Sequence, residues 1–139
     1  MTDAERLDWL RLYRSENVGP HSFYKLLATY GTAARALDAL PDLAQRGGYG
    51  RPLRVATKAE AERELAGIAK LGARLLCASE PDFPERLAAL DPAPPVIWAR
   101  GRAEFFARPS VAIVGARIAS AAGQRFARAL AQDLGETTT

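Results

Sequence analysis

The stretch Ser110-Val111-Ala112-Ile113-Val114-Gly115-Ala116-Arg117, followed by Ile118-Ala119-Ser120-Ala121-Ala122-Gly123, holds the residue types and spacing in this chain that bear most directly on chemistry. An apolar β-branched run stops on Gly115, a small residue and an arginine follow, and Ser120 stands where a helix would open. In open parallel sheets such a strand, tight turn and helix N-terminus lie beyond the carboxyl ends of the strands, where backbone N–H groups and the helix dipole favour an anion. Gly115 permits a sharp turn, Ala116 keeps the surface open, and Arg117 carries a guanidinium to the place that the N–H groups after Ser120 face. A single phosphate, or a base stacked on the guanidinium, fits there. The competing reading is that Gly115 merely ends a strand and Arg117 pairs with a nearby carboxylate.

Standard nucleotide loops do not fit the same residues. A dinucleotide fingerprint needs GxGxxG, and Arg117 occupies the second glycine position, where its side chain crowds a pyrophosphate. A Walker loop needs a Lys-Ser or Lys-Thr pair after its glycines, and the chain has none. Enzymatic constellations are nearly absent as well. His21, the one histidine, stands beside Pro20 at a helix start and reads as a surface or capping residue; there is no metal-ligand cluster, no GxSxG elbow and no cysteine pair. Glu62 and Glu64, on a helix rich in Arg and Lys, read as a solvated face. Arg125 and Arg128 after the turn, and Arg100, Arg102 and Arg108 before it, either extend a basic track or serve solubility. The expectation is a non-enzymatic binding protein with no cofactor and no metal.

The totals agree with a globular intracellular protein. In 139 residues, 48% hydrophobic with 25% charged leaves room for one ordinary domain or two small ones and argues against disorder. Arginine supplies 16 of the 19 basic side chains, beside Lys25, Lys58 and Lys70. Such a bias suits phosphate recognition, and equally a GC-rich genome. A net charge of +3 leans only weakly towards polyanions. Cys77, alone in the run Arg74-Leu75-Leu76-Cys77-Ala78, excludes an intramolecular disulfide and reads as a buried strand thiol in a reducing cytoplasm. No apolar stretch approaches the roughly 18 residues of a membrane span, and the charged start Met1 to Arg6 is no signal peptide.

The elements that must position these residues follow from period and punctuation. Three short helices are expected up to residue 46: one over Asp3 to Tyr13; one from Pro20, with Phe23, Leu26, Leu27 and Tyr30 as its stripe and Gly31 at its end; and one capped by Thr32, bearing Ala33, Ala36, Leu37 and Leu40 and ended by Pro41. The glycine cluster of Gly47, Gly48 and Gly50 marks a linker or boundary, giving a helical domain over 1–50 and a second domain over 51–139. A capping box of Thr57 and Glu60 opens a helix that runs to Gly72. Leu75 to Ala78, Val96 to Ala99 and Val111 to Val114 read as buried strands, with a short helix over Pro84 to Leu90. The helix after Ser120 places Phe126, Leu130 and Leu134 on one face, expected to lie on the sheet. The fold class is therefore α/β.

Several ordered motifs then resemble one family. Asp82-Phe83-Pro84-Glu85-Arg86-Leu87, then Pro92-Ala93-Pro94-Pro95-Val96-Ile97-Trp98-Ala99-Arg100-Gly101, then Val111-Ala112-Ile113-Val114-Gly115-Ala116-Arg117 with Ser120 and Gly123, look like the bacterial DNA-processing protein DprA, or Smf, family. Glu16-Asn17-Val18-Gly19-Pro20 and Tyr30-Gly31 are similar to its N-terminal SAM-like or helix-hairpin-helix-like domain, so the resemblance runs essentially to Gly135. It implies a helical SAM-like domain followed by the first part of a Rossmann-like parallel sheet, incomplete here. It implies a cytoplasmic protein of natural transformation that binds single-stranded DNA, protects it on entry and helps load the recombinase RecA, and a homodimer in the full-length parent. The DNA-binding positions it implies are Gly115, Ala116, Arg117 and Ser120. One departure is Ala122, where the family commonly has an aromatic residue before the glycine that matches Gly123.

Two other classes use part of the same pattern. Nucleotide-processing phosphoribohydrolases share a related sheet and first turn, although the upstream proline motif argues against them. The helical start could alternatively be an independent interaction or duplex-binding module, but eight basic against six acidic side chains over residues 1–56 is a balanced surface.

Overall fold

Phe23 shows why the first helices close on one another. Its ring, wholly buried, meets Trp9, Tyr13 and Tyr24 edge-on at centroid distances of 5.0, 6.2 and 5.5 Å, the geometry that the aromatic quadrupole favours. The structure, a computed structural model, describes residues 1–46 and 53–137; the expected linker and boundary at 47–52 lie outside the described residues. Two compact units divide the chain, residues 1–108 and residues 109–139.

In the first unit α1 (Asp3–Arg14), α2 (Pro20–Tyr30) and α3 (Ala33–Arg46) form the expected helical start. Thr2 and Glu5 make a capping box on α1: Glu5 N–H donates to Thr2 Oγ1 at 3.2 Å, and Thr2 N–H donates to the Glu5 carboxylate at 2.7 Å. Gly31, at φ +80°, ends α2 in the left-handed region that glycine enters without strain. Pro41 does not end the third helix, which runs on to Arg46. Pro41 lies on the exposed side, where the carbonyl it leaves unpaired can meet water, while Ala33, Ala36, Leu37 and Leu40 hold the buried side in place.

Helix α4 (Lys58–Lys70) opens on the predicted capping box of Thr57 and Glu60 and leads through Gly72, at φ +69°, into the sheet. Strands β1 (Ala73–Cys77) and β2 (Val96–Arg100) pair antiparallel, with Leu75 opposite Trp98 and Cys77 opposite Val96. Alternation gives the pair two covered faces. Leu75, Cys77 and Val96 pack with Leu10 of α1 and Ala61 of α4, whereas Leu76 and Ala99 pack with Phe83 and, just before and within α5 (Glu85–Ala88), Leu87. The expected parallel sheet is therefore corrected on one point: the two paired strands run antiparallel, and both read as near-continuous apolar runs because each face is buried.

Helix α1 serves both cores. Leu12 belongs to the cluster around Phe23, and Leu10 to the cluster around Cys77. Three polar ties fix it. Ser15 Oγ donates to Arg11 O and accepts from Ala56 N–H. Arg14 forks onto Glu64, which also accepts the Trp98 indole N–H at 3.2 Å. Arg6 meets Glu80 at 2.6 Å, and Glu80 accepts Cys77 N–H at 3.1 Å. Burial opposes ionisation of Glu80, but the Arg6 hydrogen bond and the Cys77 N–H outweigh it and hold the carboxyl below its usual range. Glu64 thus corrects the reading of it as solvated face. Glu62 fits that reading, its only ion pair among the described residues being a long one to Lys58 at 3.7 Å.

The second unit comprises an extended segment and α6 (Ala121–Thr137). The strand expected at Val111 to Val114 is not formed: the backbone there is extended, but among the described residues no strand pairs with it. Hydrogen bonds to a neighbouring strand make an extended run into a strand, and this run has none among the described residues. Val114 and Ile118 are exposed accordingly. Phe126 is exposed as well, so the apolar stripe of α6 does not lie on a sheet within its own unit.

Candidate nucleic-acid interface

Arg117 sits at a bend formed with Ile118, three residues before Ser120. Its side chain is exposed and, among the described residues, makes no hydrogen bond or ion pair. Ser120 caps α6: its Oγ accepts Gly123 N–H at 3.2 Å and its carbonyl accepts Gln124 N–H at 3.0 Å. Gln124 Nε2 donates in turn to Ala119 O at 3.0 Å, fixing the approach to the helix. Ala121 and Ala122 are exposed, and no carbonyl inside the helix can accept their N–H groups, so the positive end of the dipole opens to solvent.

Gly115 and Ala116 lie exposed on the extended segment before the bend. The sharp turn expected at Gly115 is instead at Arg117–Ile118; a Cβ added at Gly115 would meet nothing within 4 Å. A Cβ at Gly123 would reach Ser120 Oγ at 3.5 Å, an ordinary contact. The four expected site residues are thus together on one exposed stretch, with Arg117 and the start of α6 supplying positive charge and N–H donors. That arrangement can hold an oxyanion by charge-assisted hydrogen bonds.

A second group of arginines is more ordered than the sequence suggested. Arg102 and Arg108 flank a 3₁₀ turn at Ala103–Ala107, and both guanidinium groups lie over the ring of Phe105, with Cζ 4.1 and 4.8 Å from its centroid. A 3₁₀ helix has about three residues per turn, so positions i, i+3 and i+6 share one side. Phe105 was missed for want of that spacing; the pattern Arg-x-x-Phe-x-x-Arg was the available signal.

His21 is exposed on α2 without a hydrogen-bonded carboxylate among the described residues. Cys77 is wholly buried, and burial pushes its thiol up to about 12, helped by the nearby Glu80 charge. Among the described residues no cluster of His, Cys, Asp or Glu could hold a metal ion, and no helix is long and apolar enough to cross a membrane.

Comparison with known families gives two matches. Residues 3–67 match the family described as DprA-like N-terminal HHH domain, and residues 74–139 match DNA recombination-mediator protein A. No curated protein matches the chain.

Proposed function

The chain belongs to the DprA family of DNA recombination mediators, and from that premise we propose that it is a non-enzymatic protein that binds single-stranded DNA through Gly115, Ala116, Arg117 and Ser120. The observation that carries the reading is the exposed Arg117 guanidinium, unpaired among the described residues, next to a capped helix whose first N–H groups face solvent. A phosphate of the strand takes the guanidinium fork and the α6 N-terminus, and an unstacked base can lie on the guanidinium plane. Contacts to phosphate carry no sequence information, so binding is sequence-independent and weakens as salt rises. In the cytoplasm of a naturally transformable cell such a protein covers incoming strands and helps RecA load on them, acting as a homodimer.

Anisotropy of a labelled oligothymidine titrated with the full chain tests the reading. Arg117→Ala is expected to weaken binding about tenfold and to lower the salt slope by about 0.7, the share of one phosphate on a single strand. Unchanged affinity and slope would remove Arg117 from the site.

A further inference from the structure

Three features of the turn between β2 and the end of the first unit converge. Both guanidinium groups lie over the ring of Phe105, so one side chain gathers two positive charges, and together they attract an anion more strongly than either alone. Stacking occupies a guanidinium's face and leaves its rim of N–H donors pointing outward, while it removes rotamer freedom that binding would otherwise have to remove. Glu104 Oε1 lies 3.4 Å from Arg102 Nε at an exposed site, and Arg108 has no ion-pair partner among the described residues. Exposed Arg100 at the end of β2 adds a further positive charge two residues before Arg102.

Phe106 is the third feature. It is 43% exposed and lines a cavity of about 570 Å³ together with Phe83, Pro84 and Ala103, where Arg74 and Arg86 stand among the carboxylates Asp82, Glu85 and Glu104. An aromatic face next to fixed cations is the pairing that single-stranded nucleic acid uses: bases stack on rings while the backbone follows positive charge. A duplex, whose bases are already stacked, gains nothing from the ring.

We infer that Arg102, Phe105, Phe106 and Arg108 form a second contact for single-stranded DNA, with phosphates on the two guanidinium groups and a base against Phe106. This contact rests on the reading that the chain binds single-stranded DNA, and it places part of the footprint in the first unit. Phe105 acts as the positioning residue that holds both arginines.

The test is a salt series of oligothymidine binding by the full chain, with a duplex of equal length in parallel. Arg102→Ala with Arg108→Ala is expected to weaken binding at least tenfold and lower the slope by about 1.4, at about 0.7 per phosphate. Arg35→Ala with Lys70→Ala, which removes the same charge from exposed sites elsewhere in the unit, is expected to change affinity less than twofold. Phe106→Ala should weaken the single strand several-fold and leave duplex binding unchanged. Phe105→Leu keeps the apolar bulk but loses the ring, and is expected to fall between wild type and the double variant; far-UV circular dichroism confirms that each variant is folded. Equal losses from the two double variants would reduce the contact to net charge and overturn the inference, as would an unchanged slope in Arg102→Ala with Arg108→Ala. If wild type itself fails to bind the strand, the functional reading falls first.

Discussion

Phe23 and Phe126 both stand on apolar helical stripes, yet one is wholly buried and the other is 71% exposed. The helices that carry them obey the same sequence rules: each has a cap, a 3.6-residue period and a stripe of large side chains. The difference is the partner. Around Phe23, α1 and α3 supply Leu12, Ala36 and Leu37 within the same unit, and Ala61 of α4 and the two-faced strand pair continue that packing through α1. In the second unit an extended run without a paired strand precedes a lone helix. Periodicity tells which face of an element is apolar; a second element has to cover it before burial lowers the free energy.

Phe23→Ala should expose that contrast most strongly, costing about 3–5 kcal/mol and a large share of the unit's stability. Urea unfolding followed by tryptophan emission checks it, since Trp9 lies 5.0 Å from the Phe23 ring. A cost below about 1 kcal/mol would mean that the helical core can refill the space.

Glu80→Gln comes next. Glu80 is nearly buried while Arg6 keeps 35% of its side chain exposed, so breaking the pair should cost about 1–3 kcal/mol at neutral pH, less than for a fully buried pair. The pH dependence follows from the direction of the shift. Because the folded carboxyl titrates below its ordinary value, its contribution is complete above the unfolded pKa of about 4.3 and is lost as pH falls through the folded one. The stability gap between wild type and Glu80→Gln should therefore narrow on acidification. A gap that stays constant from neutral pH to pH 2 would dissociate Glu80 from the acid limb.

Phe126→Ala sets the lower bound, with an expected change within about 0.5 kcal/mol for an exposed side chain. Thermal melts of the two phenylalanine variants side by side measure the contrast directly. A loss above about 2 kcal/mol at Phe126 would show that its ring is covered in solution and erase the distinction between the units.

Helix starts were the most legible part of the sequence, because caps are local: Thr32, Thr57 and Ser120 each hold an N–H three residues ahead. Two of the three expected strands were legible for the same kind of reason, since Leu75 to Cys77 and Val96 to Ala99 are buried or half-buried on both faces and read as unbroken apolar runs; the equally apolar Val111 to Val114 was not, because it pairs with no strand among the described residues. Strand direction was not, because pairing depends on residues far apart in the chain. Pro41 misled because its cost was set against burial on the other side of the same helix. At the candidate site the sequence placed Arg117 and Ser120 beside one another, and the bend fell two residues later than the glycine suggested. Glu64 as a tie between α1 and β2 could not be read, because Arg14 and Trp98 are 50 and 34 residues away from it.

The burial of Cys77 turns the single sulfur of its kind into a stopwatch. With its thiol pushed up to about 12 and no exposed surface, it carries almost no thiolate at neutral pH and gives an alkylating reagent no access. Labelling must wait for β1 to part from α1 and α4, so its rate counts the openings of the first unit's interior and ignores any fraying of α6.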